Sequence, residues 1–88
     1  MKNCIRLGIV DDHPLMRDGI AMTLGREEDF KVVACGGSAR EAVAIAKEHV
    51  PDIMLLDVKM PGGGFEAAQQ ISASQPDIRI VFLTVSER

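Results

Sequence analysis

No apolar stretch in this sequence approaches the ~18 residues that a membrane-crossing helix needs. The segment Met1–Ile5 carries a lysine but no apolar h-region, so a cytoplasmic location without a secretory leader is expected. Cysteine is scarce. Cys4 and Cys35 lie far apart with no CxxC spacing, too few thiols for a zinc site, and a disulfide would want an oxidising compartment. Both are expected to be small buried apolar side chains. Positive charge is also short: Lys plus Arg is 10 against 13 Asp plus Glu, a net −3. That is the wrong sign for a stretch that binds nucleic acid directly. Low-complexity segments, internal repeats and linkers are lacking too.

What is present is the composition of one compact domain: 88 residues, 47% hydrophobic and 26% charged. Two periodicities alternate along it. Ile5–Val10 is a short apolar run that stops at Asp11-Asp12, Asp52–Asp57 is a second, and Ile78–Thr84 a third. Near-continuous runs of this length suit strands of a parallel sheet covered on both faces. Lys31–Cys35 is a weaker fourth candidate, expected nearer an edge.

Between these runs the spacing becomes helical. Leu15, Met16, Gly19, Ile20 and Leu24 fall on one face, with Pro14 suited to a first turn. Ser38-Ala39-Arg40-Glu41 reads as a capping box, opening a helix that carries Ala42, Val43, Ala46 and Val50 and stops before Pro51. A third helix is expected from Phe65 to about Ser74, with Ala68 and Ile71 inward and Pro76 at its exit. Strand and helix thus alternate, which demands a parallel sheet with right-handed crossovers, an α/β layered fold.

In open parallel sheets, ligands bind beyond the carboxyl ends of the strands. Three expected strands end there in oxygen-bearing side chains: Asp11 and Asp12, then Asp57, then Thr84. Neighbouring strands run ~4.8 Å apart, so such residues can converge on one ion. Three clustered carboxylates repel one another, and a divalent cation removes that penalty. All-oxygen ligands favour Mg²⁺ over Zn²⁺.

Val10-Asp11-Asp12-His13-Pro14, Leu55-Leu56-Asp57-Val58-Lys59-Met60-Pro61-Gly62 and Val81-Phe82-Leu83-Thr84 occur in order along the chain. Together they resemble the three signatures of bacterial response-regulator receiver domains, and most closely those of the NarL/FixJ subfamily. The resemblance covers residues 1–88 and implies a flavodoxin-like (CheY-like) parallel sheet with helices on both faces. It implies that Asp57 is the phosphoacceptor for a sensor histidine kinase. It further implies that Asp12 binds Mg²⁺ directly, that Asp11 does so mainly through water, and that the backbone carbonyl of Lys59 adds an oxygen. Thr84 would hydrogen-bond the new phosphoryl group.

The chain also departs from the family pattern. The family sheet runs 2-1-3-4-5, but only four strands are legible here, in an expected order 2-1-3-4. On this reading the chain is a truncated receiver, lacking the fourth helix, the fifth strand with its lysine, and the last helix. Lys2, Lys31, Lys47 and Lys59 are all placed elsewhere. Ile78–Val85 would then be an apolar edge strand, and self-association or domain swapping is expected. A helix-turn-helix domain usually follows in the subfamily, so contact with DNA is expected only through a segment not contained in this chain. The glycine run after Pro61 is a residue shorter than the commoner family loop and calls for a tight turn.

Among the remaining candidates, His13 reads as a solvent-facing loop residue, and His49 as a favourable charge near a helix end. Met16, Met22, Met54 and Met60 read as gap-fillers at core positions. Two other functions compete with the phospho-receiver: a dimerisation module of the same fold that works without phosphorylation, and an aspartyl phosphatase. The last would place its nucleophile after strand one in a D-x-D frame, whereas Asp11 and Asp12 are adjacent and Asp57 follows strand three.

Overall fold

The computed structural model describes residues 4–84, so Lys2 and the expected strand residue Val85 lie outside it. The elements run β1 (Ile5–Val10), α1 (Pro14–Gly25), β2 (Phe30–Gly36), α2 (Ala39–His49), β3 (Ile53–Asp57), α3 (Gly64–Ser74) and β4 (Arg79–Leu83). The sheet is parallel throughout, in the order β2-β1-β3-β4. Helix α1 packs on one face, α2 and α3 on the other. This is the expected flavodoxin-like arrangement, with the weak fourth run at one edge as β2.

Alternation along the strands divides the apolar residues unequally. Val10, Met54, Leu56 and Ile78 face α2 and α3, where they pack with Ala42, Ile45, Ala46, Ala67 and Ile71. Leu7 and Ile9 are buried on the opposite, α1 face. Helix α1 itself buries no residue completely. Its apolar stripe of Leu15, Met16, Gly19, Ile20 and Leu24 lines an open groove of about 600 Å³, with Leu55 and Leu83 across from it. One face of the sheet is therefore closed and the other only half covered.

Several expectations need correction on this account. Met54 and Met60 are buried, but Met16 and Met22 sit exposed on α1. Cys4 and Cys35 are both exposed free thiols, since Cys4 precedes β1 and Cys35 points outward from the edge strand β2. In α3 Ile71 is buried as expected and Ala68 packs half-buried against the core, while the inner stripe also takes Gly64 and Ala67. Val50 is not a helical core residue. It caps α2 with left-handed backbone angles (φ 44°, ψ 60°) and is 56% exposed. Its carbonyl instead accepts from Arg6 Nη1 at 2.8 Å, tying the cap to β1.

The capping box forms with one change of partner. Ser38 Oγ accepts from Glu41 N at 3.2 Å, but Glu41 Oε1 accepts from Gly37 N at 2.7 Å, one residue earlier than the usual reciprocal bond. After β3 the chain turns through Gly62 and Gly63, whose φ angles of 87° and 88° suit glycine alone. Gly64 then packs so closely on the backbone of Asp57 that a side chain there would overlap the Asp57 carbonyl. That contact fixes where β3 ends.

Candidate functional site

Pairing of β1 with β3 aligns Val10 with Leu56, so the residues that follow, Asp11 and Asp57, emerge side by side at the carboxyl edge. Asp11 is 1% exposed and Asp57 6%. Asp12 turns outward, leaving its side chain about one-third exposed. One ligand atom each from Asp11, Asp12, His13 and Asp57 fall within 4.8 Å of one another. The acidic residues expected to converge do so.

The bonding inside this cluster is incomplete. Asp11 Oδ1 accepts from His13 N at 2.8 Å, and Asp57 Oδ1 accepts from Lys59 N at 3.3 Å. The second oxygens, Asp11 Oδ2 and Asp57 Oδ2, are buried without a hydrogen-bond partner. Leaving a buried carboxylate oxygen unpaired costs roughly 1–3 kcal/mol. Burial therefore pushes the Asp57 carboxyl up from its ordinary range; the Lys59 N–H opposes this, and the charges of Asp11 and Asp12 add to it. Two orphaned oxygens and an exposed third carboxylate fit a hard divalent cation, which prefers oxygen ligands and retains water.

His13 is the solvent-facing loop residue expected, its side chain 61% exposed, and its Nδ1 lies 3.1 Å from Asp11 Oδ1, 3.0 Å from Asp12 Oδ1 and 3.9 Å from Asp57 Oδ2. The hydrogen bond to Asp11 raises its pKa first, then the charge of Asp12, with slight desolvation opposing and the charges of Asp11 and Asp57 adding. His13 precedes Pro14 and is extended, with φ −102° and ψ 106°. Arg17, one turn into α1, was not singled out from the sequence. Its Nη1 lies 3.5 Å from the carbonyl oxygens of Asp11 and of Gly36, bridging the ends of β1 and β2.

Thr84 follows directly after β4, exposed, one residue beyond the Leu83 that aligns with Asp57. It stands at the correct edge of the sheet. The Lys59 side chain is exposed and outside the cluster, while its backbone is joined to it.

Comparison with known proteins places this geometry in a family. The model of the response regulator receiver domain matches residues 7–88. The chain is 44% identical over 84 residues to the response regulator GacA of Pseudomonas aeruginosa, covering 94% of this chain and 39% of that protein. It is similar to the crystal structure of a two-component response regulator of the LuxR family from Aurantimonas sp. SI85-9A1, with TM-score 0.89 and 35% identity over 97% of this chain and 61% of that one. The response regulator domain of Thermotoga maritima CheB gives TM-score 0.89 and 32% identity, covering 93% and 61%. The chain thus spans about two-fifths of the length of the curated relative it matches. No helix among the described residues is long and apolar enough to cross a membrane.

Proposed function

The chain belongs to the response regulator receiver domain family, and from that premise we propose that Asp57 accepts a phosphoryl group from the phosphohistidine of a sensor histidine kinase. The observation that carries this reading is the pair of buried carboxylates, Asp11 and Asp57, each with an oxygen that no group among the described residues satisfies. A carboxylate oxygen of Asp57 forms a bond to phosphorus while the phosphorus–nitrogen bond breaks. The product is an acyl phosphate on Asp57 and a free imidazole on the kinase.

Each residue of the pocket has a part in this. Lys59 N–H orients Asp57 through Oδ1. Asp11, Asp12 and Asp57, with the backbone carbonyl of Lys59, would hold Mg²⁺. Bound there, it supplies positive charge against the oxygens of the transferring group, the main requirement of phosphoryl transfer. Thr84, at the tip of the neighbouring strand, would hydrogen-bond the phosphoryl group. Because the chain acts once on itself, this is a signalling domain and not an enzyme with turnover. A cytoplasmic location, where a histidine kinase presents its phosphohistidine, belongs to the same reading.

Two further parts of the proposal concern partners. DNA would be reached only through a domain that is not part of this chain, as in a transcription regulator. Self-association would use β4, which pairs only with β3 among the described residues and leaves Val81 and Phe82 exposed. That edge also favours the second reading, a dimerisation module independent of phosphorylation.

The test is incubation with Mg²⁺ and a small acyl phosphate, followed by mass spectrometry of this chain and of one extended to the full length of its relatives. A phosphoryl adduct on Asp57, lost in Asp57→Asn, is expected in the longer chain. Its formation in this chain is expected to be weak. An adduct on another residue, or none in either chain, overturns the phosphoacceptor reading and leaves the dimerisation module.

A further inference from the structure

The chain places an imidazole nitrogen among the carboxylates of its candidate cation pocket. We propose that His13 is an inner-sphere ligand of that pocket for divalent transition ions that accept nitrogen, such as cobalt(II) or nickel(II). This rests on the reading of Asp11, Asp12 and Asp57, with the Lys59 carbonyl, as a divalent-cation site, and adds a protein ligand of different chemistry.

The first support is distance. Metal–oxygen and metal–nitrogen bonds of ~2.1 Å at right angles put neighbouring donor atoms ~3.0 Å apart, and opposite ones ~4.2 Å apart. Nδ1 lies 3.0 Å from Asp12 Oδ1 and 3.1 Å from Asp11 Oδ1, the spacing of adjacent ligands. At 3.9 Å from Asp57 Oδ2, it stands between the adjacent and the opposite separation.

The second support is the state of the partners. Asp11 Oδ2 and Asp57 Oδ2 are buried and unpaired on carboxylates 1% and 6% exposed. They supply donor positions that no hydrogen bond occupies. Coordination through Nδ1 takes the neutral ring with its one proton on Nε2, any proton beyond that going to solvent. Imidazole suits cobalt and nickel, whereas Mg²⁺ takes oxygen and water. His13 therefore separates the two kinds of ion: magnesium uses the oxygen ligands alone, and nitrogen-accepting ions use those oxygens and the ring.

The experiment is calorimetric titration of Mg²⁺ and of Co²⁺ into the chain in a His49→Ala background, which removes the other imidazole. His13→Ala and His13→Gln are compared with their parent, and Asp12→Asn and Asp57→Asn serve to test the pocket itself. Loss of His13 is expected to weaken Co²⁺ binding by about tenfold or more and to leave Mg²⁺ affinity within about threefold. The Co²⁺ form is expected to show a strongly shifted, exchangeable imidazole N–H signal in its proton NMR spectrum, absent in both His13 variants. An unchanged ratio of Co²⁺ to Mg²⁺ affinity in both variants, with both ions still lost in Asp57→Asn, overturns the proposal and leaves the carboxylate pocket standing. Binding of both ions that survives Asp12→Asn and Asp57→Asn overturns the pocket itself.

Discussion

Replacing Asp57 with asparagine is expected to stabilise the metal-free chain. Asp57 is 6% exposed, its Oδ2 has no partner, and its nearest neighbours include two other carboxylates. At the 4.8 Å limit of the cluster, one unscreened pair of like charges with an effective dielectric of 20 repels by about 3–4 kcal/mol. The nearby His13 nitrogen, salt and small movements reduce that, leaving a gain of about 1–3 kcal/mol for the neutral, nearly isosteric amide. For a domain of this size the midpoint of thermal unfolding should rise by about 4–8 °C per kcal/mol. The dependence on pH has a definite sign. The folded pKa of Asp57 lies above its ordinary value of 3.8, so between the two values the native state holds more protons and stability falls as pH rises. The penalty is absent below the ordinary value and complete above the folded one. The advantage of Asp57→Asn is therefore expected to vanish in acid and to reach a plateau near neutrality. Thermal unfolding of both proteins in chelator, across that pH range, measures this. A variant less stable than its parent at neutral pH, or a gain that grows toward acid, would refute the reasoning.

Val50→Asn is expected to raise stability by about 0.5–1 kcal/mol, since a left-handed conformation costs a β-branched residue more than asparagine. Its 56% exposure means little packing is lost, and denaturant unfolding reads the difference. Gly64→Ala should destabilise by more than about 2 kcal/mol, because the added methyl overlaps the Asp57 carbonyl. Amide exchange should show the loosening concentrated at the end of β3. Size-exclusion chromatography with light scattering should find the chain self-associated, and Val81→Lys, which places a charge on the exposed strand β4, should shift it toward monomer. A parent that stays monomeric as its concentration rises contradicts the proposed pairing.

The layered fold was legible because periodicity reports burial directly: Met54 and Leu56 are inside for the same reason that no charge falls between Asp52 and Asp57. Asp11, Asp12 and Asp57 were legible for a related reason, since polar residues ending buried strands emerge at one edge of a parallel sheet. Burial of α1 was not legible in the same way. A helical stripe such as Leu15, Met16, Ile20 and Leu24 shows which side is apolar, but not what covers it, and here it lines an open groove. The thiols failed for another reason: composition favours burial of cysteine, whereas Cys35 follows the outward phase of an edge strand. His13 is exposed as expected, but the approach of its Nδ1 to the acids was not legible, because a side-chain rotamer and not a periodicity sets it.

The convergence of Asp11, Asp12 and Asp57 on one cation is tested most directly by titrating Mg²⁺ into the chain and into its single asparagine variants. One ion should bind per chain, with Asp12→Asn and Asp57→Asn abolishing the heat and Asp11→Asn weakening it. Mg²⁺ binding unaffected by all three substitutions, or no binding to the parent at all, would contradict a shared pocket.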